Sequence, residues 1–341
     1  MPTRFLNRLK PDPYILALVL AAVVAAFLPV RGEYAAALDD VVSVAIGCLF
    51  FLYGARLPGG ALREGIRHWR LHGAILLSTY ALVPLLGLAC AVLVPAVLTE
   101  PLYLGLLFLC VLPSTVQSSI TFTSMAGGNV AAAICAATFS NVLGVLLTPL
   151  LAGLLVAEGT GAVPLDALPK IVLLLLVPFL LGQLARRWIG EWVRGHARVL
   201  GKLDRCVILG VVYTAFSQGT VAGIWRQLTP LRLLLLGVVA MGLLVVVLAV
   251  TAAAARWCGF SRPDRIALVF AGSKKSLASG LPMASVLFPA ASVGLVVLPL
   301  MIYHQLQLIT CAWLARRFAA DRLAAETDAP VKPRGDRASP A

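Results

Sequence analysis

The sequence is short of charge, and shortest of acid. Only 13% of its 341 residues are charged, with 15 acidic residues and 4 histidines, whereas a soluble domain carries about 25% charged residues. That scarcity excludes a water-soluble enzyme or binding module. No His-Glu-x-x-His helix and no matched pair of aspartates lies within an apolar run, so the usual means of intramembrane hydrolysis are missing. The seven cysteines (Cys48, Cys90, Cys110, Cys135, Cys206, Cys258, Cys311) lack metal-ligand spacing and read as small buried thiols. No cofactor is expected. A net charge of +13 does not make a nucleic-acid surface either, because the basic residues are scattered through short connections without aromatic interleaving.

What is present is apolar. Hydrophobic residues make up 60% of the chain and the mean hydropathy is +0.94. Requiring about twenty mostly apolar residues per helical span gives ten candidates: 13–30, 37–57, 72–95, 102–125, 129–157, 165–186, 206–223, 232–256, 264–288 and 292–316. Lys and Arg then segregate. Arg4, Arg8 and Lys10, the 2–3, 6–7 and 8–9 connections, and the C-terminal segment fall on one side; Arg31, Lys170, Arg226 and Arg232 fall on the other. Positive-inside sorting places both termini in the cytoplasm. The alanine-rich, arginine-biased composition points to a bacterial inner (plasma) membrane. Residues 1–12 read as a cytoplasmic N-terminus, 13–157 and 158–318 as two five-helix halves, and 319–341 as a disordered cytoplasmic tail.

Five spans per half make the second half insert upside down, the inverted-repeat plan of many secondary transporters. The fourth span of each half is interrupted. Leu112-Pro113-Ser114-Thr115-Val116-Gln117-Ser118-Ser119-Ile120-Thr121 breaks an apolar run with a proline and hydroxyl or amide side chains. Gly272-Ser273-Lys274-Lys275-Ser276-Leu277-Ala278-Ser279 does so with two lysines at membrane depth, where charge marks function. Taken singly, each hydroxyl reads as a bond to its own helix; at matched places the two clusters read as halves of one site. Thr138, Ser140 and Asn141 of the fifth span add oxygens suited to a hard cation. Asp39 and Asp40 read as helix-start carboxylates, His304 and Gln307 as interior hydrogen-bonding residues, and Gln183 and Gln218 as helix–helix contacts.

With these residues in view, the chain resembles the bile acid:sodium symporter superfamily, most closely its SBF-like branch. The resemblance rests on Phe50-Phe51-Leu52-Tyr53-Gly54, Leu112 to Ser119, Gly127-Gly128-Asn129-Val130-Ala131, Ser140-Asn141 through Thr148-Pro149-Leu150-Leu151, and Gly272-Ser273-Lys274-Lys275-Ser276. It implies an all-α membrane protein of ten transmembrane helices in two inverted five-helix repeats. Spans 3–5 and 8–10 would form a core domain, spans 1, 2, 6 and 7 a panel domain, and broken helices 4 and 9 would cross. It also implies a substrate and ion site at Ser114, Thr115, Gln117, Ser118, Ser119, Thr138, Ser140, Asn141, Ser273, Lys274, Lys275 and Ser276. Sodium would fall at Ser114, Ser119, Thr138 and Asn141. The symporter pattern has a Glu and a Gln where this chain has Ala271 and Lys275.

An ammonium offers donors and no acceptor, so Lys275 would repel sodium rather than coordinate it. The expectation is that Lys275 replaces one sodium ion, its ammonium meeting Ser114, Ser118, Ser119, Thr138 or Asn141, while Lys274 attracts an anionic group of the substrate. The function expected is secondary transport of a small organic anion across a lipid bilayer by alternating access. The competing class is a membrane sensor or regulator on the same fold, with its polar clusters occluded.

Overall fold

The computed structural model describes residues 13–56, 68–160, 168–223, 225 and 228–327. The expected N-terminal segment 1–12 and residues 328–341 of the expected tail lie outside them. Among the described residues there is no strand. The helices are α1 (Pro13–Phe27), α2 (Glu33–Arg56), α3 (Trp69–Leu93), α4 (Glu100–Val111), α5 (Gln117–Met125), α6 (Val130–Thr160), α7 (Leu168–Gly195), α8 (Ala197–Val221), α9 (Pro230–Trp257), α10 (Arg262–Ser273), α11 (Leu277–Leu287) and α12 (Ala290–Thr327). Five of them, α2, α3, α6, α9 and α12, are long and apolar enough to cross a bilayer. Leu16, Leu20, Phe27, Val44, Leu234 and Val238 all lie exposed, and apolar surface on this scale belongs against lipid.

Two expected boundaries are corrected. The connection drawn between residues 186 and 206 is helical: α7 runs to Gly195, and α8 starts at Ala197. Hydropathy measures bilayer thickness, whereas a helix continues past the apolar zone until its hydrogen bonding is broken. Here Arg187 stacks on Trp188 at 3.7 Å and the chain turns only at Gly195-His196. Likewise α12 continues to Thr327, so residues 319–327 are helix rather than the start of a disordered tail.

Packing sorts the helices into two groups. In the first, α2 packs on α7 and α8, and α1 on α8; in the second, α3, α6, α9 and α12 pack against the interrupted pairs α4/α5 and α10/α11, and the two meet where α8 lies along α11 and α12 and α7 along α6. α2 and α7 touch backbone to backbone, because a Cβ on Gly54 would meet the Phe179 carbonyl and one on Gly182 the Phe51 carbonyl. Arg56 of α2 binds Asp204 of α8 at 2.5 Å. The turn from α5 into α6 needs a left-handed residue, supplied by Gly127 at φ +70°. Asn129 then caps α6 by accepting from Ala132 N–H (3.0 Å), and donates to Asp264 (2.8 Å). This explains the Gly127-Gly128-Asn129 motif.

Candidate functional site

The two breaks touch. Helix α4 stops because Pro113 cannot donate to Leu109, four residues back; Leu112 turns extended, and α5 begins at Gln117. Helix α10 stops at Ser273, and α11 resumes at Leu277 with Ser276 as its cap, accepting from Ser279 N–H at 3.2 Å. Between them Ser276 N–H donates to the Pro113 carbonyl at 2.9 Å. Each break is clamped by side chains from the helix that follows its pair. On one side Ser114 N–H donates to Ser140 Oγ (2.9 Å), and Asn141 Nδ2 donates to the Ser114 carbonyl (2.8 Å). On the other side Lys275 N–H donates to Gln307 Oε1 (3.0 Å), and Gln307 Nε2 donates to the Lys275 carbonyl (2.9 Å). Ser279 Oγ donates to Asn141 Oδ1 (2.9 Å) and ties the two clamps together.

Breaking a helix at this depth leaves orphan carbonyls that must find donors. The last four carbonyls of α10, those of Phe270, Ala271, Gly272 and Ser273, accept from Ser119 (3.3 Å), Ser114 (2.6 Å), Ser78 (2.9 Å) and Tyr303 (3.0 Å). At the end of α4, Thr148 covers the Val111 carbonyl (2.9 Å) and Leu112 N–H the Leu109 carbonyl (3.3 Å), and Lys275 takes those on either side of Val111. Its Nζ donates to the carbonyls of Cys110 (2.6 Å), Leu112 (2.9 Å) and Thr79 (2.8 Å). The Thr79 carbonyl is free for a sequence reason. Val83 N–H reaches back five residues to Ser78, and Pro84 has no N–H to offer. All three ammonium protons are satisfied with Lys275 fully buried, at the negative end of the α4 dipole. Charge-assisted bonds of about 1.5–3 kcal/mol each are what such a buried cation requires.

Lys274 lies beside it in the opposite situation. It is also 0% exposed, and its Nζ has no hydrogen-bond partner. The ammonium faces the ring of Phe122 on α5 at 3.8 Å and that of Phe270 on α10 at 5.6 Å. A separate shallow cavity of about 190 Å³ lies between α2, α8, α11 and α12, with Asp39, Ser43, Thr214, Gln218 and Ser285 among its walls. There Gln218 donates to Asp39.

The profile of the SBF-like CPA transporter family matches residues 12–320. The chain belongs to the SBF-like CPA transporter family. It is 50% identical over 329 residues to an uncharacterized protein of Pseudomonas aeruginosa, covering 95% of this chain and 99% of that one. It is 48% identical to YfeH of Escherichia coli, named as a candidate symporter, over 90% of this chain and 92% of that one. It is 29% identical to sodium/bile acid cotransporter 7-B of Xenopus laevis, over 89% and 90%. Membership places the chain within the bile acid:sodium symporter superfamily, as a multi-pass membrane protein of a transporter family.

Within this SBF-like chain the expected site residues divide. Ser114, Ser119, Ser140, Asn141, Lys275 and Ser276 build the crossing. Thr115 bonds Ser118 (2.8 Å) and Ser119 (3.2 Å) just beside it. Gln117 is exposed and serves only through its carbonyl, which accepts from Thr121 (2.9 Å). Ser273 Oγ bonds back within its own helix to Val269 (2.6 Å), and Thr138 is half-buried on α6 and bonds neither break. The expected partners of Lys275 are corrected: its ammonium meets backbone carbonyls, not Ser114, Ser118, Ser119, Thr138 or Asn141. Of the oxygens expected for sodium, those of Ser114 and Ser119 donate their protons to α10 carbonyls, and Asn141 Oδ1 accepts from Ser279; each keeps a lone pair. Ser78, Thr79, Gln307 and Tyr303 complete the site. Gln307 stands out in the sequence as an amide in an apolar run, and Ser78-Thr79-Tyr80 as a polar island in α3.

Proposed function

We propose that this protein is a secondary transporter of a small organic anion, working by alternating access. It would be built of ten spans as two inverted five-helix repeats in a bacterial inner membrane, both termini cytoplasmic. The observation that carries this reading is the meeting of two broken helices, each clamped by the next helix of its own half through a side chain that accepts from one backbone N–H and another that donates to its carbonyl, or through one amide that does both. Repetition of that arrangement supports a repeat of the architecture. The run of contacts from α1 to α8 to α2 to α7 supports a panel moving against a core formed by the other helices.

Lys275 takes the place of a bound sodium ion in this reading. Three convergent carbonyls are a hard-cation ligand set, and the ammonium already fills it; a second cation beside it would be repelled. The test is a thermal-shift screen of the purified protein against organic anions, with sodium present or absent, since a ligand favouring the folded state raises apparent stability. Proteoliposome uptake of the hits then follows, with and without a sodium gradient. The expected result is uptake of an anion without a sodium requirement. Sodium-dependent uptake that persists in Lys275→Ala overturns the replacement.

A further inference from the structure

We propose that Lys274 is the proton-carrying group of the transport cycle, taking up a proton when the crossing opens to one side of the membrane and releasing it to the other. This deepens the transport reading and rests on it. The argument is one of contrast between neighbours. Lys275 has an oxygen acceptor for every ammonium proton. Lys274 has none, although it is just as buried.

The groups around Lys274 Nζ are the Phe122 ring on α5 and the Phe270 ring on α10, with Phe318 of α12 set edge-on to Phe270 at 6.1 Å. Cys311 of α12 is the titratable group in electrostatic reach, and itself buried. The adjoining charge, Lys275, is turned toward α3 and α4. Ring faces support an ammonium, while an amine needs no acceptor, so the closed site admits both protonation states. Neither the rings nor the thiol supplies a base to receive the proton internally. Exchange must therefore wait for solvent. Because Lys274 caps the end of α10 at the break, while Phe122 belongs to the other interrupted pair, movement at the crossing changes its surroundings. One proton is gained by the amine nitrogen on opening to one face and returned to water on opening to the other.

The chain has six lysines, Lys10, Lys170, Lys202, Lys274, Lys275 and Lys332, few enough to follow individually. The full-length protein in lipid nanodiscs, labelled with ¹³C at lysine Cε, is observed by NMR across a pH series. Lys274→Met and Lys274→Arg assign the resonance, the arginine variant serving should the methionine variant not fold. The expected result is a Lys274 signal that passes between amine and ammonium positions between about pH 6 and about pH 10, at a midpoint distinct from the other lysines, and that loses this transition in both variants. In parallel, part of the pH dependence of the wild-type unfolding temperature should vanish in both variants. A Lys274 signal fixed in one protonation state across that range overturns the proposal, as does an anion that pairs with a permanently charged Lys274. Cysteine accessibility from the two faces separates the readings. Alternating access with a silent Lys274 removes proton coupling and leaves transport; a titrating Lys274 with one-sided access leaves the proton site and removes transport.

Discussion

At the scale of residues, two adjacent lysines of equal burial answer substitution in opposite directions. Lys275→Met withdraws the donor shared by the carbonyls of Thr79, Cys110 and Leu112, which then lie buried and unpaired. At about 1–3 kcal/mol for each orphaned group, the variant should lose at least about 3 kcal/mol, read as a fall in unfolding temperature in detergent or nanodiscs. Lys274→Met removes a cation that has no acceptor and replaces it with a flexible apolar chain between two rings. A buried cation without an acceptor carries a desolvation cost that an apolar side chain does not, so its unfolding temperature should stay level or rise. A fall in both variants of similar size would show that Lys274, too, is held by an acceptor.

At the scale of elements, the helix breaks were legible and their wiring was not. Pro113, and the glycine and serine around Lys274-Lys275, announce interruptions in runs otherwise too apolar to stop. The acceptors of Lys275 are backbone carbonyls, which carry no residue type, so attention falls instead on the hydroxyls of Ser114, Ser118 and Ser119. Pro84 is the single signal for one acceptor, since it leaves Thr79 without a donor. Gln307 looks like an ordinary interior amide, yet it holds both the N–H and the carbonyl of Lys275. Gln307→Leu should therefore destabilise by about 2 kcal/mol, two neutral bonds of about 1 kcal/mol each, with Gln307→Glu recovering less than half because it cannot donate to the carbonyl. The glycine contact of α2 with α7 gives the second prediction at this scale. Gly182→Val puts a branched side chain where the Phe51 carbonyl stands, and should cost about 1–3 kcal/mol, measured by the same thermal shift, with the crossing itself unaffected.

At the scale of the whole molecule, hydropathy and basic residues order the chain more firmly than they bound its helices. Charge alternation is what the proposed orientation of the spans rests on, whereas α7 and α12 run beyond the apolar zone, where hydropathy has nothing to measure. The proposed ten-span plan makes an accessibility prediction that spans both halves. In a background with the seven native cysteines replaced, Ser118→Cys on α5 and Ser276→Cys at the other break place one label at each interrupted pair, and in that plan would report on the two faces of the crossing. Ser118 is half-buried and Ser276 buried here, so this conformation should label Ser118→Cys faster. A ligand or pH change that shifts the population toward the opposite-facing state reduces a labelling rate in proportion to the open fraction, so moving that fraction from about 90% to about 9% slows labelling about tenfold. Alternating access therefore predicts a fall at one position matched by a rise at the other, each from its own face of the membrane, using an impermeant maleimide on intact and inverted vesicles. A sensor that never opens to the second face would label from one side under every condition, and the transport reading would then give way to that one.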